Sequence, residues 1–398
     1  MGIYILNLIL ILVYGILYRY LKLGGRLIIV PNGINLSNDR NVNLKVVLCS
    51  IIGVQLFLIS ALRYNIGTDD KTYKRMFLEI AGIKNFFSYP IEKGFGAINW
   101  VIGQFTHNYQ WMLAVMALLT ILCVSVAVYR YAKYPVLTFF LYVTMSFYYS
   151  SMCLIRHGLA IAISFLGLKY IKEKCLWKYL VIVLLAALIH YSALTMLPIY
   201  FIANIDFNVK QMFSLSALIL LIYLFVDKIF LTLATVIPKY KDVYVSQEGI
   251  DNYLQGMSWK SMIVCVLVFI LMMIFKKQLL SMSRENLIFI NISFFAVLIS
   301  LFQTKVNVLD RMAYYFNSYM IFSLPLLIDC FDKTFVLDKL ELISGRLPSL
   351  QKVVSKWDDK AFSYIMLGII MFAALLYNIY VFVSGYYSVV PYKSILFK

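Results

Sequence analysis

The chain has 398 residues, 62% of them hydrophobic and only 14% charged, with a formal net charge of +17 and a mean hydropathy of +0.83. Soluble domains run near half apolar and about a quarter charged. The composition therefore excludes an ordinary soluble enzyme and predicts an all-α, polytopic membrane bundle forming a single membrane domain over 1–398. A lipid bilayer is the expected surrounding, and no nucleic-acid partner is expected.

A span needs about 20 predominantly apolar residues to cross roughly 30 Å of hydrocarbon. Runs that meet or approach that length fall near 3–21, 45–62, 109–129, 135–150, 157–172, 177–201, 211–226, 259–275, 286–302, 312–330 and 361–387. Shorter apolar stretches near 94–107 and 229–238 suit re-entrant or short spans, so eleven to thirteen membrane helices are expected, with re-entrant or interfacial segments. The first run, IYILNLILILVYGILY, has no basic residue before it and no small-residue cleavage site after it, which fits a retained helix better than a removable signal peptide. Cys49, Cys123, Cys153, Cys175, Cys265 and Cys330 lie in or beside apolar runs without metal-ligand spacing and read as buried thiols. No metal and no cofactor is expected.

Lys and Arg in short loops set orientation. Arg19, Lys22, Arg26, Arg40 and Lys45 place the first loop in the cytoplasm, as do Arg130 with Lys133, the lysines at 169–178, and Lys276, Lys277 and Arg284. The stretch 331–360 reads as a cytoplasmic amphipathic segment, with Val336, Leu340, Ile343 and Leu347 at helical spacing. The outer face then carries 63–108, 150–156, 202–210, 239–258, 303–311 and the C-terminus. Most of the chain's unusual polar residues fall in that set.

Residues 63–77, RYNIGTDDKTYKRMF, open the outer loop 63–108. Gly67 can turn the chain, Thr68 or Asp69 can cap a helix, and Asp69 and Asp70 suit the positive end of its dipole. Tyr73, Met76, Phe77 and Ile80 form one apolar stripe, so an amphipathic helix lying on the outer leaflet accounts for much of the stretch. It leaves Arg63 without a role. Arg63, Lys71, Lys74, Arg75, Lys84 and Lys93 concentrate positive charge in one outer loop, which suits either snorkelling to headgroups or an anionic, phosphate-bearing ligand.

Further along, FYYSSMCLIRHGLAIAISFLG (147–167) places Arg156 and His157 at the outer end of an apolar helix. Ionisable groups in spans cost about 2.5–3.5 kcal/mol at the bilayer centre on insertion scales. His190, in AALIHYSALTMLPIY, lies roughly 18 Å beyond Lys178 along a helix, at a depth compatible with Arg156. It is readable as a structural histidine partnered by Ser192 or Thr195, or as a catalytic one. Asp310 and Arg311 open the span in QTKVNVLDRMAYYFNSY, where they can simply pair with each other. In the outer loop 239–258 and just after it, Tyr240, Tyr244, Tyr253 and Trp259 mix with Asp242, Glu248, Asp251 and Asn252, a composition suited to stacking on sugar rings and bonding their hydroxyls. Phosphate-binding glycine loops, paired-cysteine patterns and GxSxG are absent from the sequence, as is a clear internal repeat of the kind transporters show.

RYNIGTDDKTY, then EKGFGAINW (92–100), RHGLA (156–160), LIHYSALTMLPIYF (188–201) and LDRMAYYF (309–316) together resemble the EpsG family, a branch of the Wzy-type polymerases of bacterial extracellular polysaccharides. The resemblance covers roughly 45–320. Family members usually carry Gln after the Arg that corresponds to Arg156; here it is His157, which can hydrogen-bond or titrate. Arg156 with Gly167 also resembles the Arg-x10-Gly pattern of some Wzy polymerases.

The resemblance implies transfer of a growing glycan from one undecaprenyl-diphosphate carrier onto another lipid-linked oligosaccharide repeat unit. The reaction would run without metal, at the outer face of the bacterial cytoplasmic membrane, and would invert the anomeric carbon. It implies Arg63, Arg156 and Arg311 as the diphosphate-binding groups, and a general base drawn from His190 first, then Asp69, Asp70 or Glu92. His157, Tyr149, Tyr240, Tyr244, Tyr253 and Trp259 would contact the sugars. The partners it implies are the undecaprenyl-diphosphate-linked oligosaccharide and a regulator of chain length. The rival readings are a lipid-donor glycosyltransferase or ligase with another acceptor, a flippase for lipid-linked oligosaccharide, and a membrane O-acyltransferase. A flippase predicts charges through both leaflets, and an acyltransferase predicts an inner-half histidine.

Overall fold

In hydrocarbon every backbone N–H and C=O must be satisfied within its own segment, so apolar runs of this length fold as helices. The computed structural model describes residues 1–24, 36–236, 244–246, 254, 256, 259–343, 354 and 356–397. Among them the regular elements are helices, and the one strand-like pairing is an isolated antiparallel bridge between Arg63 and Ser394. The protein is an all-α, multi-pass membrane protein.

Five helices among the described residues are long and apolar enough to cross a bilayer: Gly2–Leu21, Asn43–Ala61, Tyr109–Tyr131, Arg284–Phe302 and Lys360–Val383. Three bent pairs raise the number to eight: Pro135–Thr144 with Phe147–Cys153 (53°), Val209–Leu224 with Val226–Val236 (63°), and Lys260–Ile274 with Lys276–Met282 (65°). Eleven to thirteen were expected because apolar runs at 157–172, 177–201 and 312–330 read as continuous. The chain breaks each of them. The first divides at Gly167, and the second passes through a 3-10 turn, Tyr191–Met196, beyond His190. The third splits into Asp310–Asn317, Met320–Ser323 and Leu327–Cys330 around a 3-10 turn that contains Pro325, which lacks a backbone N–H.

The described chain falls into two compact units. The first comprises 1–170, 177–194 and 331–398. Its early helices are α1 (Gly2–Gly24), α2 (Leu36–Ala61), α3 (Asp70–Gly82), α4 (Lys93–Phe105), α5 (Tyr109–Tyr131), α6 (Pro135–Thr144), α7 (Phe147–Cys153) and α8 (Ile155–Leu166). A short α9 (Leu168–Lys172) precedes α10 (Leu176–Ile189). Helix α5 packs along α2 and α8, and α3 packs on α4. The stripe of α3 faces protein: Tyr73, Phe77 and Ile80 are buried, with Tyr73 against the Phe95 ring at 6.0 Å and Phe77 against Tyr109 at 6.3 Å. The helix therefore does not spend its apolar face on the outer leaflet. At 13 residues, α4 is too short to span.

The second unit, 171–176 with 195–330, buries Phe207, Met212, Phe294 and Leu298 in one cluster. A capping box of Asn208 and Gln211 starts the helix Val209–Leu224. Asn291 donates to the carbonyls of Ile202, Ala203 and Ile205, satisfying acceptors that a helix end leaves open. The six cysteines are free thiols, four of them buried. Of the expected amphipathic segment 331–360, Lys333–Ile343 is helical, and Phe335 is buried. Most of its remainder lies outside the described residues.

The chain's last residues return to the start of the loop that follows α2. Tyr64 N–H donates to Lys393 O and Ile395 N–H to Leu62 O, both at 3.0 Å, on either side of the Arg63–Ser394 bridge. Tyr392 OH donates to Ile59 O (2.8 Å), Tyr4 OH to Val389 O (3.0 Å) and the Cys153 thiol to Tyr387 O (2.8 Å). This strap gives the Leu62 carbonyl and the Tyr64 N–H their backbone partners. Ending the chain at Ser384 keeps the last long helix and removes the strap. Insertion should persist, while limited trypsin treatment in detergent should cut after Arg63, a bond protected in the intact protein.

Candidate active site

Three ionisable side chains of the first unit meet at one carboxylate. Glu92 Oε2 accepts from Arg156 Nη1 at 2.5 Å, and Glu92 Oε1 lies 2.9 Å from His190 Nδ1. Glu92 is 5% exposed and His190 9%. Each sits at a helix terminus. Glu92 immediately precedes α4, where the dipole favours an anion, and His190 immediately follows α10, where it favours a cation. Arg156 lies in the first turn of α8, an unfavourable place for a cation, and the Glu92 contact offsets that. The approach of α4 to α10 depends on Gly94, because a Cβ there would sit 2.8 Å from Leu188 O.

The Arg156 guanidinium is also framed by aromatic faces, at 5.8 Å from the Tyr73 ring centroid and 5.5 Å from that of Phe95. Among the described residues its Nε–H has no hydrogen-bond partner, although Nη1 is held by Glu92. Glu92 fixes one guanidinium edge and Tyr73 also hydrogen-bonds the group, while the side chain stays 18% exposed. His157 is 2% exposed, and its ring meets that of His190 edge-on at 5.5 Å. Burial raises the Glu92 carboxyl, but the His190 hydrogen bond and the Arg156 charge outweigh it and hold the group at about 2. It is ionised at neutral pH, and so anchored it is a weak base. With Nδ1–H donating to Glu92, the basic lone pair of a neutral His190 resides on Nε2.

Arg63 is placed differently from the sequence reading. It is 2% exposed, and its Nη1 donates to the carbonyl and hydroxyl of Ser60 while Nη2 donates to Met152 O at 3.1 Å. Gln110 pins the same loop through the carbonyls of Ala61 (2.5 Å) and Arg63 (3.1 Å). Gly67, at φ +109°, lets the loop lie against Cys153 at the α7–α8 break. Arg63 therefore ties the loop to the residues just before Arg156. Asp70 turns inward and accepts from Tyr109 OH at 3.1 Å. Burial raises its carboxyl, with that hydrogen bond and the charges of Arg63 and Lys74 pulling the other way. Asp69 occupies the N-cap position of α3 without a side-chain cap bond.

Tyr149 is fully buried in an aromatic cluster, 5.1 Å from both the Tyr4 and Phe382 rings. Arg311 belongs to the second unit, in the first turn of Asp310–Asn317, and it pulls against the burial that pushes Asp310 up to about 7. Tyr244 stacks edge-on to Phe230 at 5.3 Å, and Trp259 is exposed just before Lys260–Ile274. Tyr240 and Tyr253 lie outside the described residues. The structure adds Tyr73, Phe95 and Gly94 to the site. Of these, Tyr73 was visible in the sequence only as part of an apolar stripe.

The depressed Glu92 carboxyl stabilises the fold above the ordinary value of 4.5, and the contribution is lost as pH falls toward about 2. A displacement of that size corresponds to about 3 kcal/mol. Glu92→Gln should therefore lower the apparent Tm at pH 7 and flatten its decline between pH 4.5 and 2, read by thermal unfolding of the purified protein across that range.

The sequence of residues 46–336 matches the family model described as the EpsG family, well over half of the chain, and both the Glu92–Arg156–His190 centre and Arg63 lie inside the match. No curated protein and no solved structure matches the chain. The chain belongs to the EpsG family.

Proposed function

We propose that the protein is a membrane glycosyltransferase of the polysaccharide-polymerase type. It would transfer a growing glycan from one polyprenyl-diphosphate carrier onto the terminal sugar of another lipid-linked repeat unit, at the outer face of the bacterial cytoplasmic membrane. Family membership supports polymerase-like chemistry. The observation that carries the assignment to residues is the Glu92 carboxylate bridging His190 and Arg156.

The acceptor hydroxyl attacks the anomeric carbon of the donor as the carbon–oxygen bond to the diphosphate breaks, and the bonding electrons leave with the diphosphate. His190 Nε2 takes the acceptor proton, while Glu92 fixes the imidazole tautomer and stabilises the imidazolium, as a carboxylate does behind a catalytic histidine. Before the reaction Glu92, Arg156 and neutral His190 sum to zero charge. Proton transfer makes the cluster +1 just as the leaving group gains negative charge, so the field strengthens when it is needed. Arg156, through the exposed part of its guanidinium, contacts the diphosphate. Arg63 acts by holding the loop and the α7–α8 break in register. Arg311 keeps its assignment to anion binding on the sequence reading.

With carrier-linked repeat units supplied in vesicles, Arg156→Ala should abolish long glycan chains and leave single units on the carrier. Arg156→Lys should recover little, since a point charge does not reproduce the planar fork. His190→Gln should lower kcat by about 10²-fold or more and remove the loss of rate at acidic pH that protonation of the base causes. A protein that moved carrier-linked oligosaccharide across the vesicle membrane without lengthening it would be a flippase, and the proposal would fall.

A further inference from the structure

The cations of 71–84 take no part in the site described above. Helix α3 buries Asp70, Tyr73, Phe77, Ile80 and Ala81 along one side. Lys71, Lys74 and Arg75, at i, i+3 and i+4, form a stripe on the other, and all three are exposed, as is Lys84 just beyond the helix. Side chains so spaced are neighbours, and like charges at that spacing destabilise a helix. The fold gains little from this arrangement beyond one exposed i,i+4 pair, Arg75 with Glu79. The acids nearby offset it only in part: Glu79 pairs with Arg75 at 4.0 Å while accepting from Tyr89 OH at 2.6 Å, and Asp70, whose carboxyl feels the Lys74 charge, points inward to Tyr109. Only Asp69, partly exposed at the helix start, stands at its edge.

The outward face is also unsuited to lying in lipid. A helix in the membrane interface turns an apolar face to the acyl chains, but α3 spends its apolar face on α4 and α5, and on the helix only Leu78 is a large exposed apolar side chain. The inner side of the same helix delivers Tyr73 to the Arg156 guanidinium, so the cationic stripe lies about one helix diameter, roughly 10 Å, from the proposed reacting centre.

We propose that the outer face of α3 is a track for an anionic glycan, and hence that the repeat unit this enzyme joins carries acidic sugars. The inference rests on the polymerase reading for its substrate but not for its test. Closely spaced exposed cations hold a chain of anionic sugars weakly at each contact and cooperatively along its length, with strong sensitivity to salt.

The test uses the full-length protein in nanodiscs of zwitterionic lipid, titrated with polygalacturonate fragments and, separately, with dextran fragments of similar length. The wild type should bind the uronate with an affinity that falls steeply with salt, and should ignore dextran. The triple variant K71Q/K74Q/R75Q should bind the uronate about tenfold more weakly, with a reduced salt slope, whereas K71R/K74R/R75K should match the wild type. Equal binding of dextran and uronate by the wild type would overturn the proposal, as would unchanged uronate affinity in the triple glutamine variant. If that variant instead lost only its attachment to phosphatidylglycerol vesicles, the stripe would be a headgroup anchor and the proposal would be wrong. Arg156→Ala should keep uronate affinity, so loss of polymerisation and loss of the track are read apart.

Discussion

The site depends on one carboxylate held by two side chains, a guanidinium and an imidazole. An ionised Glu92 at 5% exposure is tolerable because Arg156 and His190 each take one of its oxygens. Removing either partner leaves charge in a poorly hydrated place, and breaking such a buried arrangement typically costs about 3–5 kcal/mol. The requirement fixes three chain segments at once: the start of α4, the first turn of α8 and the end of α10. Helix dipoles favour the anion at the first and protonation of the imidazole at the last, and they oppose Arg156 at the second. Arg156 is therefore held where it is by Glu92 and by its aromatic frame, not by its own helix.

Small details of packing follow from that constraint. The carboxylate reaches His190 only if the first turn of α4 comes close to the last turn of α10, which explains a glycine at 94 in a helix that would otherwise lose stability to it. Helix α3 is amphipathic because its inner side has a job at Arg156 and in the packing on α4 and α5. The strap from Tyr386 onward lies outside the family match, yet with Gln110 it supplies backbone partners to the loop that carries Arg63. That loop in turn lies on the break just before α8.

The all-α membrane class was legible because hydropathy is additive along the chain. The span count was not, because a helix break is decided by where the backbone finds partners: His190, Gly167 and Pro325 interrupt runs whose average hydropathy does not register them. Arg156 and His190 stood out because ionisable residues are rare in apolar helices. Glu92 stood behind His190, level with Asp69 and Asp70 among the bases, since a carboxylate in a polar loop looks solvated until its partners, 64 and 98 residues away, are in place. Arg63 was flagged by its charge alone. Its attachment to Ser60 and Met152 carbonyls is a tertiary fact, and carbonyl acceptors leave no mark in sequence. Tyr73 hid inside an apolar stripe for the same reason, because its role comes from the ring's neighbour.

A cluster with a carboxylate, a guanidinium and a neutral imidazole has an electrostatic property that none of its members has alone. With its imidazole neutral it carries no net charge, so in that state it can be buried without a large desolvation cost. It becomes cationic only by accepting a proton, and in the proposed transfer the proton comes from the nucleophile. Field and bond-breaking are then coupled without a metal ion or a large rearrangement. A site built from free arginines would attract the diphosphate of donor, acceptor carrier and product alike. A site that charges during the reaction favours the transition state over all three, which is the condition for turning binding into rate.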